Sequence, residues 1–382
     1  MNSIFDVLPD RRATESLKWR AYDADVLPMW VADMDFRSPE PVIAALRERV
    51  EHGVFGYPGR VSGFNDALMA RLSARYGWQV TPEQIVFMPG VVTGFNWVVQ
   101  TLCAANEAVL VQTPVYPPFL SAPANGGCLR QDAALVRRAD GRYEIDFDLF
   151  ERSITPQTRL FILCNPHNPV GRVFTPQELS RLAEICLRHG VWICSDEIHC
   201  DLIYAPHQHT PIASLDAEIA RQTVTLMAPS KTYNIAGLEC SFAIVPDAGL
   251  RERLQAGRRG LVGWVNVLGQ VAALAAYRDG QPWLDELLAY LQSNRDLVAR
   301  FAQQELPGVK MTPMEGTYLA WLDCRSTGLE NPYRFFLEEG RVALSDGADF
   351  GPGGEGFVRL NFGCPRAMLQ DALERMRRAL LK

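Results

Sequence analysis

Three short polar segments, each following an apolar run, contain residue types that could support catalysis. They are residues 165–171, 195–199 and 228–231. Ligands of an open α/β sheet bind beyond the carboxyl ends of its strands, so we expect these segments to lie close together. They contain Asn168, Asp196 and Lys231. Pyridoxal phosphate needs such groups: an amine for its Schiff base, a carboxylate at the pyridine nitrogen and a donor to the phenolate oxygen.

Lysine usage supports Lys231 as the point of covalent attachment. Only four of the 38 lysine and arginine residues are lysines, at positions 18, 231, 310 and 382. An imine forms from a neutral amine, and arginine is not deprotonated in proteins. A lysine placed after a strand is therefore expected where chemistry excludes arginine. The alternative is an exposed surface lysine.

The patterns around the other two residues are less specific when taken alone. Asp196 comes after the apolar residues 191–194, so its carboxylate is expected to be buried beside a positive partner such as a pyridinium. By itself it could also be a helix cap or a core ion pair. Asn168 stands between two prolines, and we expect this loop to be rigid enough to direct its amide.

The predicted phosphate site is the turn at residues 89–93, between a strand and the start of a helix. Free backbone N–H groups and the helix dipole favour an anion there, which makes Gly90, Val91 and Val92 candidate contacts. Ser230 could add a hydroxyl to the same phosphate. The glycine-rich residues 351–356 are expected to form a surface turn, because a strand rather than a helix follows them.

The clearest structural unit spans residues 159–197. Two apolar runs flank a helix pattern with Thr175 as N-cap, Pro176 at the first helical position and Glu178 completing a capping box. Strand, helix and strand in this order predict a βαβ unit and a parallel sheet. Further strands are predicted at residues 85–88, 108–111, 223–227, 241–245, 318–323 and 357–362, and helices at 39–52, 64–76, 94–102 and 366–381.

These elements predict an α/β fold with two domains. We expect residues 46–280 to form a large domain with a mostly parallel sheet between helices, and residues 281–382 a smaller α+β domain. The N-terminal segment, residues 1–45, is expected to pack with the smaller domain.

Composition limits the partners and the compartment. The net charge of −6 comes without a long basic block, so nucleic acid is not expected. The longest uncharged stretch, residues 261–277, falls short of the ~20 apolar residues that a membrane span needs; a buried helix or subunit contact is expected instead. Nine cysteines without a C-x-x-C pair, and no secretory signal pattern, favour reduced thiols in a cytoplasmic protein. Histidines 167, 189, 207 and 209 have no metal-ligand spacing.

The sequence resembles the MalY/PatB-like cystathionine β-lyases, or C-S lyases, of the class I/II aminotransferase superfamily and fold type I of the pyridoxal-phosphate enzymes. The resemblance covers nearly the whole chain. It is carried by residues 27–36 (LPMWVADMDF), 54–57 (VFGY), 113–119 (TPVYPPF), 165–172 (NPHNPVGR), 195–201 (SDEIHCD), 228–238 (APSKTYNIAGL) and 358–362 (VRLNF).

The resemblance implies a role for individual residues. Lys231 would form the Schiff base and act in catalysis with Tyr116, which would also stack on the cofactor. Asp196 would hold the pyridine nitrogen, Asn168 the phenolate oxygen, and His199 would contact the cofactor. The implied substrate-binding residues are Arg359 for the α-carboxylate, Tyr57 and Asp33. Tyr57 would also reach the phosphate of a neighbouring subunit, which implies a homodimer with shared active sites.

The implied activity is cleavage of L-cystathionine or a related S-substituted cysteine to pyruvate, ammonia and a thiol, which is homocysteine when the substrate is cystathionine. Two positions differ from class I aminotransferases: His199 replaces a tyrosine, and Glu239 replaces a phosphate-binding arginine. Residues 258–267 look less typical of the family. Two alternatives remain: an aminotransferase, and a cofactor-binding protein with a regulatory protein–protein role. A fused DNA-binding regulator is not expected, because the resemblance begins by about residue 11.

Overall fold

The structure, a computed structural model, describes residues 3–382, so the first two residues of the predicted N-terminal segment lie outside it. Its α-helices are α1 Leu17–Arg20, α2 Glu40–Glu51, α3 Phe64–Tyr76, α4 Val91–Leu102, α5 Pro117–Asn125, α6 Phe147–Arg152, α7 Pro176–Arg188, α8 Ala217–Arg221, α9 Ala248–Ala256, α10 Val267–Asp279, α11 Gln281–Glu305, α12 Pro332–Glu338 and α13 Arg366–Leu380. Its strands are β1 Leu27–Pro28, β2 Ile85–Met88, β3 Ala108–Val111, β4 Leu129–Asp132, β5 Val136–Arg137, β6 Tyr143–Glu144, β7 Thr158–Cys164, β8 Trp192–Asp196, β9 Thr223–Met227, β10 Ser241–Ile244, β11 Lys310–Met311, β12 Leu319–Asp323, β13 Val342–Ala343, β14 Ser345–Asp346 and β15 Phe357–Asn361.

A seven-stranded sheet forms the centre of the larger part, in the order β2-β10-β9-β8-β7-β3-β4. The strands from β9 to β4 run parallel, whereas β10 is antiparallel to both of its neighbours. Successive residues of a strand face opposite sides, and Ile193 packs in the core cluster that contains α7, while Cys194 packs in the one that contains α4. Helices therefore cover both faces, which confirms the predicted fold class.

The βαβ unit β7-α7-β8 forms as its sequence predicts. The Thr175 hydroxyl accepts a hydrogen bond from the Glu178 backbone N–H at 3.2 Å, and the Glu178 carboxylate accepts one from the Thr175 N–H at 2.8 Å. Two of the orphan N–H groups at this helix end are thus satisfied within the cap. The cap fixes where α7 begins, and the parallel register of β7 and β8 places Cys164 opposite Asp196 at their carboxyl ends.

The C-terminal part contains a second, four-stranded sheet in the order β11-β12-β15-β14. The N-terminal segment joins it through β1, where Leu27 pairs in parallel with Val342 of β13. Along the chain, α11, the longest of the described helices, lies between the last strand of the large sheet and the first strand of the second sheet. Domain boundaries at residues 45 and 280 remain a proposal.

Two predicted elements differ from the structure at their ends. The helix predicted at residues 94–102 begins at Val91, because Gly90, with φ 88°, turns the chain directly after β2. Within the uncharged stretch, only residues from Val267 onward are helical, whereas Leu261 and Trp264 are about three-quarters exposed, at 77% and 76%. The buried-helix expectation therefore holds for its second half alone.

The remaining expectations concern cysteines, the glycine-rich stretch and membrane spans. All nine cysteines are buried and free, as core thiols should be. Residues 351–356 form turns that lead into β15, as predicted. Among the helices described, none has both the length and the apolar content to cross a membrane.

Candidate active site

A cavity of about 250 Å³ opens at the carboxyl edge of the large sheet. Strands β7, β8 and β9 are parallel neighbours, and their last residues therefore lie side by side. The loops that follow carry Asn168, Asp196 and Lys231, and all three residues line the cavity. The predicted convergence of the three polar segments is thus observed.

Lys231 presents its amine to this cavity. Its Nζ donates a hydrogen bond to the Ala32 carbonyl at 2.7 Å. Burial lowers the pKa of Lys231 to about 8, with the Arg359 charge acting in the same direction and the Asp33 and Asp196 charges opposing it. An appreciable share of the amine is therefore neutral near pH 7–8, the form that attacks a carbonyl.

Lys18 shows that rarity alone does not single out a catalytic lysine. It is only 1% exposed, and its Nζ lies 2.7 Å from the Asp35 carboxylate. Arg11 binds the same carboxylate at 2.7 Å. Lys18 therefore has a structural role. The rarity of lysine does not by itself identify Lys231; its position among the loops that follow the strand ends does.

Asp196 ends β8 with its carboxylate almost fully buried, 5% of the residue being exposed. Oδ1 accepts a hydrogen bond from the Ile198 N–H at 3.0 Å. Burial raises the pKa of Asp196 to about 7, and the charge of Glu197 adds to the rise. A cation placed against this carboxylate would restore its charged form.

Arg359, on β15, is a buried cation without a carboxylate partner among residues 3–382. Nη1 donates to Asn168 Oδ1 at 3.0 Å, and Nη2 donates to the Trp30 carbonyl at 2.9 Å and to Ser345 Oγ at 3.1 Å. Nε has no partner within the described chain. Burial lowers the pKa of Arg359 to about 10. An incoming carboxylate would therefore meet a desolvated guanidinium with an unused donor.

The far end of the cavity has the features of an anion cradle. Gly90 precedes α4 without any side-chain cap, so the first N–H groups of this 12-residue helix are free to bind a ligand. Val91, Val92 and Ser230 also line the cavity. Glu239 lines it too, and Lys231 is the one cationic side chain among the described lining residues.

Tyr116 and His199 complete the polar lining of the cavity. Burial raises the pKa of Tyr116, which keeps its phenol protonated. Burial lowers the pKa of His199 to about 3, so the imidazole is neutral. Its Nδ1 is buried without a hydrogen-bond partner in the described part of the chain, and its ring lies edge-on to Tyr318 at 6.1 Å.

Three residues implied by the resemblance are not among the lining residues of this cavity in the single chain: Arg359, which binds the lining residue Asn168, and Tyr57 and Asp33. Tyr57 is fully exposed, at 104%. The Asp33 carboxylate pairs with Arg11 at 2.6 Å, while the neighbouring Ala32 lines the cavity. The roles predicted for Tyr57 and Asp33 stay predictions.

Ala32 and Tyr318 also contribute to the site, although the sequence did not indicate them. The Ala32 carbonyl accepts from Lys231 Nζ and from the Tyr318 hydroxyl, the latter at 2.9 Å. Every residue has a backbone carbonyl, so this role of Ala32 cannot be inferred from the residue type. The available hint was the position of Ala32 inside the conspicuous segment 27–36.

This arrangement fits pyridoxal phosphate in the chemistry of its donors. The cavity offers an amine of lowered pKa, a buried carboxylate in need of a cation, and a capless helix start for a phosphate. The Asn168 amide is oriented by Arg359, which binds its Oδ1 and leaves Nδ2 available as a donor.

Comparison with known proteins gives the family. The family model for aminotransferase class I and II matches residues 24–376. Cystathionine beta-lyase PatB of Bacillus subtilis (strain 168) is 45% identical, over 98% of this chain and 99% of its own. The chain belongs to the PatB-like branch of this family. It is therefore a pyridoxal-phosphate enzyme.

Solved structures of the family agree with the fold described above. Cystalysin from Treponema denticola, which contains a pyridoxal 5'-phosphate cofactor, is similar with a TM-score of 0.96 and 32% identity, over 100% of both chains. A PLP-bound C-S lyase from Staphylococcus hominis has a TM-score of 0.93 and 34% identity, over 99% of both chains. Among the cavity residues, Lys231, Asp196, Asn168 and the first N–H groups of α4 are those that would hold the cofactor.

The raised pKa of Asp196 predicts that the free energy of unfolding of the cofactor-free protein depends on pH. Unfolding restores the ordinary value of 3.8, so the folded state loses stability as pH rises from about 4 to about 7 and the loss then levels off. Asp196→Asn should remove this cost. Its apoprotein should become more stable than the unmodified apoprotein by roughly 3–4 kcal/mol at pH 8, but by little near pH 4.

Urea unfolding of both apoproteins across this pH range measures the difference. Asp148→Asn is the control, since that side chain is 81% exposed. A pH-independent difference for Asp196→Asn would contradict the burial effect.

Proposed function

We propose that this chain is a pyridoxal-phosphate-dependent carbon–sulfur β-lyase that cleaves L-cystathionine or a related S-substituted cysteine to pyruvate, ammonia and a thiol. The observation that carries the proposal is the buried, carboxylate-free guanidinium of Arg359, which binds Asn168 of the cavity lining. It suits the α-carboxylate of an amino acid, whose Cα would then face the Lys231 amine. The similarity to PatB supports the choice of carbon–sulfur cleavage.

Arg359 would begin the reaction by orienting the substrate. A guanidinium binds a carboxylate through two parallel N–H groups and so fixes both the position and the rotation of the amino acid. Pyridoxal phosphate, when bound, supplies an electron sink that makes the α-proton acidic. Asp196 would keep the proton on the ring nitrogen, which maintains that sink.

Lys231 would then move the proton. The Cα–H bond breaks, its proton passes to Nζ, and the electron pair left behind forms the Cα–Cβ double bond as the C–S bond breaks. Sulfur leaves as a thiolate with the C–S pair. Lys231 or Tyr116 would return a proton to it, and the released enamine takes up water to give pyruvate and ammonia.

Aminotransfer is the alternative reaction at the same site. Aminotransfer requires reprotonation at the cofactor and a keto acid to complete the cycle. Elimination requires neither. Glu239 lines the cavity, at a position where the aminotransferase pattern has a phosphate-binding arginine. The test is multiple-turnover release of pyruvate from L-cystathionine without added keto acid.

We infer that the enzyme is a homodimer in which Tyr57 of one protomer reaches the phosphate site of the other. Phe55, Tyr57 and Trp264 are exposed apolar side chains that line one surface groove. The described lining of the cavity contains no arginine, so a further donor to the phosphate would be useful there. Sedimentation equilibrium should give about twice the chain mass of 42.7 kDa; a monomer at the concentration of full activity would contradict shared sites.

Nine free buried thiols support a cytoplasmic location.

A further inference from the structure

The side-chain amide of Asn361, on β15, holds the backbone on both sides of Ala32. Its Nδ2 donates to the Val31 carbonyl and to the Asp33 carbonyl, each at 2.7 Å. Its Oδ1 accepts a hydrogen bond from the Gly363 N–H at 2.8 Å. Because a carbonyl only accepts and a backbone N–H only donates, this fully buried amide has a single orientation. Asn361 therefore fixes the peptide groups that precede and follow the Ala32 carbonyl.

The segment that contains Ala32 has no regular secondary structure. Residues 29–39 form neither helix nor strand, so their backbone groups need partners from other parts of the chain. Arg359, two positions before Asn361 and therefore on the same face of β15, donates to the Trp30 carbonyl at 2.9 Å. One face of β15 thus sets the position of residues 30–33.

The Ala32 carbonyl is the acceptor for the Lys231 amine. Nζ donates to it at 2.7 Å, and the Tyr318 hydroxyl donates to the same oxygen at 2.9 Å. A carbonyl oxygen has two lone pairs and accommodates both donors. Ala32 and Lys231 line the cavity, whereas Asn361 does not. The amine is therefore held by an oxygen whose position depends on a side chain outside the cavity.

The hydrogen bond to Ala32 favours the released form of Lys231 over the form attached to the cofactor. When an amino acid replaces Lys231, its nitrogen bonds to the cofactor's carbonyl-derived carbon, and the bond from that carbon to Nζ breaks. The two protons of the incoming neutral amine pass to Nζ, which then carries at least two hydrogens. An imine nitrogen carries at most one. The free amine is consequently the better donor to the Ala32 carbonyl.

We propose that Asn361 is a positioning residue that fixes the Ala32 carbonyl as the acceptor of the released Lys231 amine. It thereby favours transfer of the cofactor from Lys231 to the amino acid. The proposal rests on the attachment of the cofactor to Lys231 in the proposed function. Asn361 is not part of the cavity lining; it acts through the backbone of residues 31–33.

The first test uses two ligands of the holoenzyme that differ only in the amine. α-Aminoisobutyrate has no α-proton, so it replaces Lys231 on the cofactor without proton transfer from Cα. Isobutyrate has the same carboxylate and carbon skeleton but cannot replace Lys231. In Asn361→Ala, calorimetric titration should show that the Kd of α-aminoisobutyrate rises roughly two- to tenfold, the range of one net hydrogen bond. The Kd of isobutyrate should stay unchanged.

The second test has the opposite sign. In the apoprotein, Lys231 has to leave the Ala32 carbonyl in order to attach pyridoxal phosphate. Loss of the fixed acceptor in Asn361→Ala should therefore lower the Kd of the cofactor by a similar factor. General damage to the site would raise this Kd instead. A role of Asn361 in folding alone does not produce the expected pair of changes.

Asn294 provides the matched control. It is also fully buried, and its Nδ2 donates to two carbonyls, those of Phe362 at 3.0 Å and Cys364 at 2.9 Å. Neither carbonyl belongs to residues 29–39, so Asn294→Ala should leave all three Kd values unchanged. Asn361→Asp is the second variant. It keeps the shape of the side chain and the acceptor for the Gly363 N–H but loses both donors, and it should reproduce the changes of Asn361→Ala.

Three outcomes overturn the proposal: equal rises in Kd for α-aminoisobutyrate and isobutyrate, a raised Kd of pyridoxal phosphate, or no change in any of them. Borohydride labelling of the unmodified holoenzyme separates this failure from that of the proposed function. A label on Lys231 that is lost when α-aminoisobutyrate saturates the enzyme leaves the role of Lys231 intact, whatever Asn361→Ala shows. A label elsewhere means that both are wrong.

Discussion

Replacement of Lys231 by alanine is expected to abolish elimination, with kcat falling at least about 10³-fold. The amine is needed twice, for covalent attachment of the cofactor and for transfer of the α-proton. No other lysine lines the cavity within the described residues. Lys18 is buried and forms an ion pair with the Asp35 carboxylate at 2.7 Å.

Borohydride reduction of the holoenzyme, followed by peptide mapping, locates the attachment directly. The label should appear on Lys231, and Lys231→Ala should lose it together with activity. Lys310→Ala, at an exposed lysine, is the matched control and should keep both. A label on Lys18 or Lys310, or an active Lys231→Ala enzyme, would rule out the assignment.

Replacement of Arg359 by alanine is expected to reduce kcat/KM roughly 30- to 4,000-fold. This corresponds to a loss of about 2–5 kcal/mol of transition-state stabilisation. The guanidinium is desolvated and has no carboxylate of its own, so its loss removes the charge partner of the substrate and leaves that carboxylate unpaired. Arg359→Lys should recover part of the activity, because it keeps the charge without the bidentate geometry.

A substrate series separates carboxylate binding from general damage. The unmodified enzyme should prefer the amino acid to its carboxamide by a large factor, and Arg359→Ala should nearly abolish this preference. Arg334→Ala, at a side chain 72% exposed, should change nothing. A preference that survives intact in Arg359→Ala would place the carboxylate elsewhere.

The sequence predicts the βαβ unit and the cofactor residues because their signals are local. The capping box at Thr175 fixes the start of α7, and apolar runs mark the ends of β7 and β8. Parallel neighbours then bring Asn168 and Asp196 to one edge. The order and direction of the strands are enough to predict that these two residues lie at the same edge of the sheet.

The contacts that cross the chain could not be predicted in the same way. Arg359 binds the Trp30 carbonyl and Asn168, residues separated from it by 329 and 191 positions. The Ala32 carbonyl carries no side-chain signal, and the burial of Lys18 depends on how the N-terminal segment packs. His209 and Glu197 look unremarkable in the sequence, since their spacing suits no metal or triad. Only the folded chain brings their side chains together, at 2.7 Å.

The most direct test of carbon–sulfur elimination is the stoichiometry of pyruvate formed from L-cystathionine by the purified holoenzyme without any keto acid. We expect many equivalents of pyruvate per active site, with homocysteine released in equal amount. The reason is that Lys231 binds the unchanged cofactor again after each cycle. Addition of a keto acid should not raise the rate. Arrest after one equivalent, with turnover resuming only when a keto acid is supplied, would show transamination and contradict the proposed function.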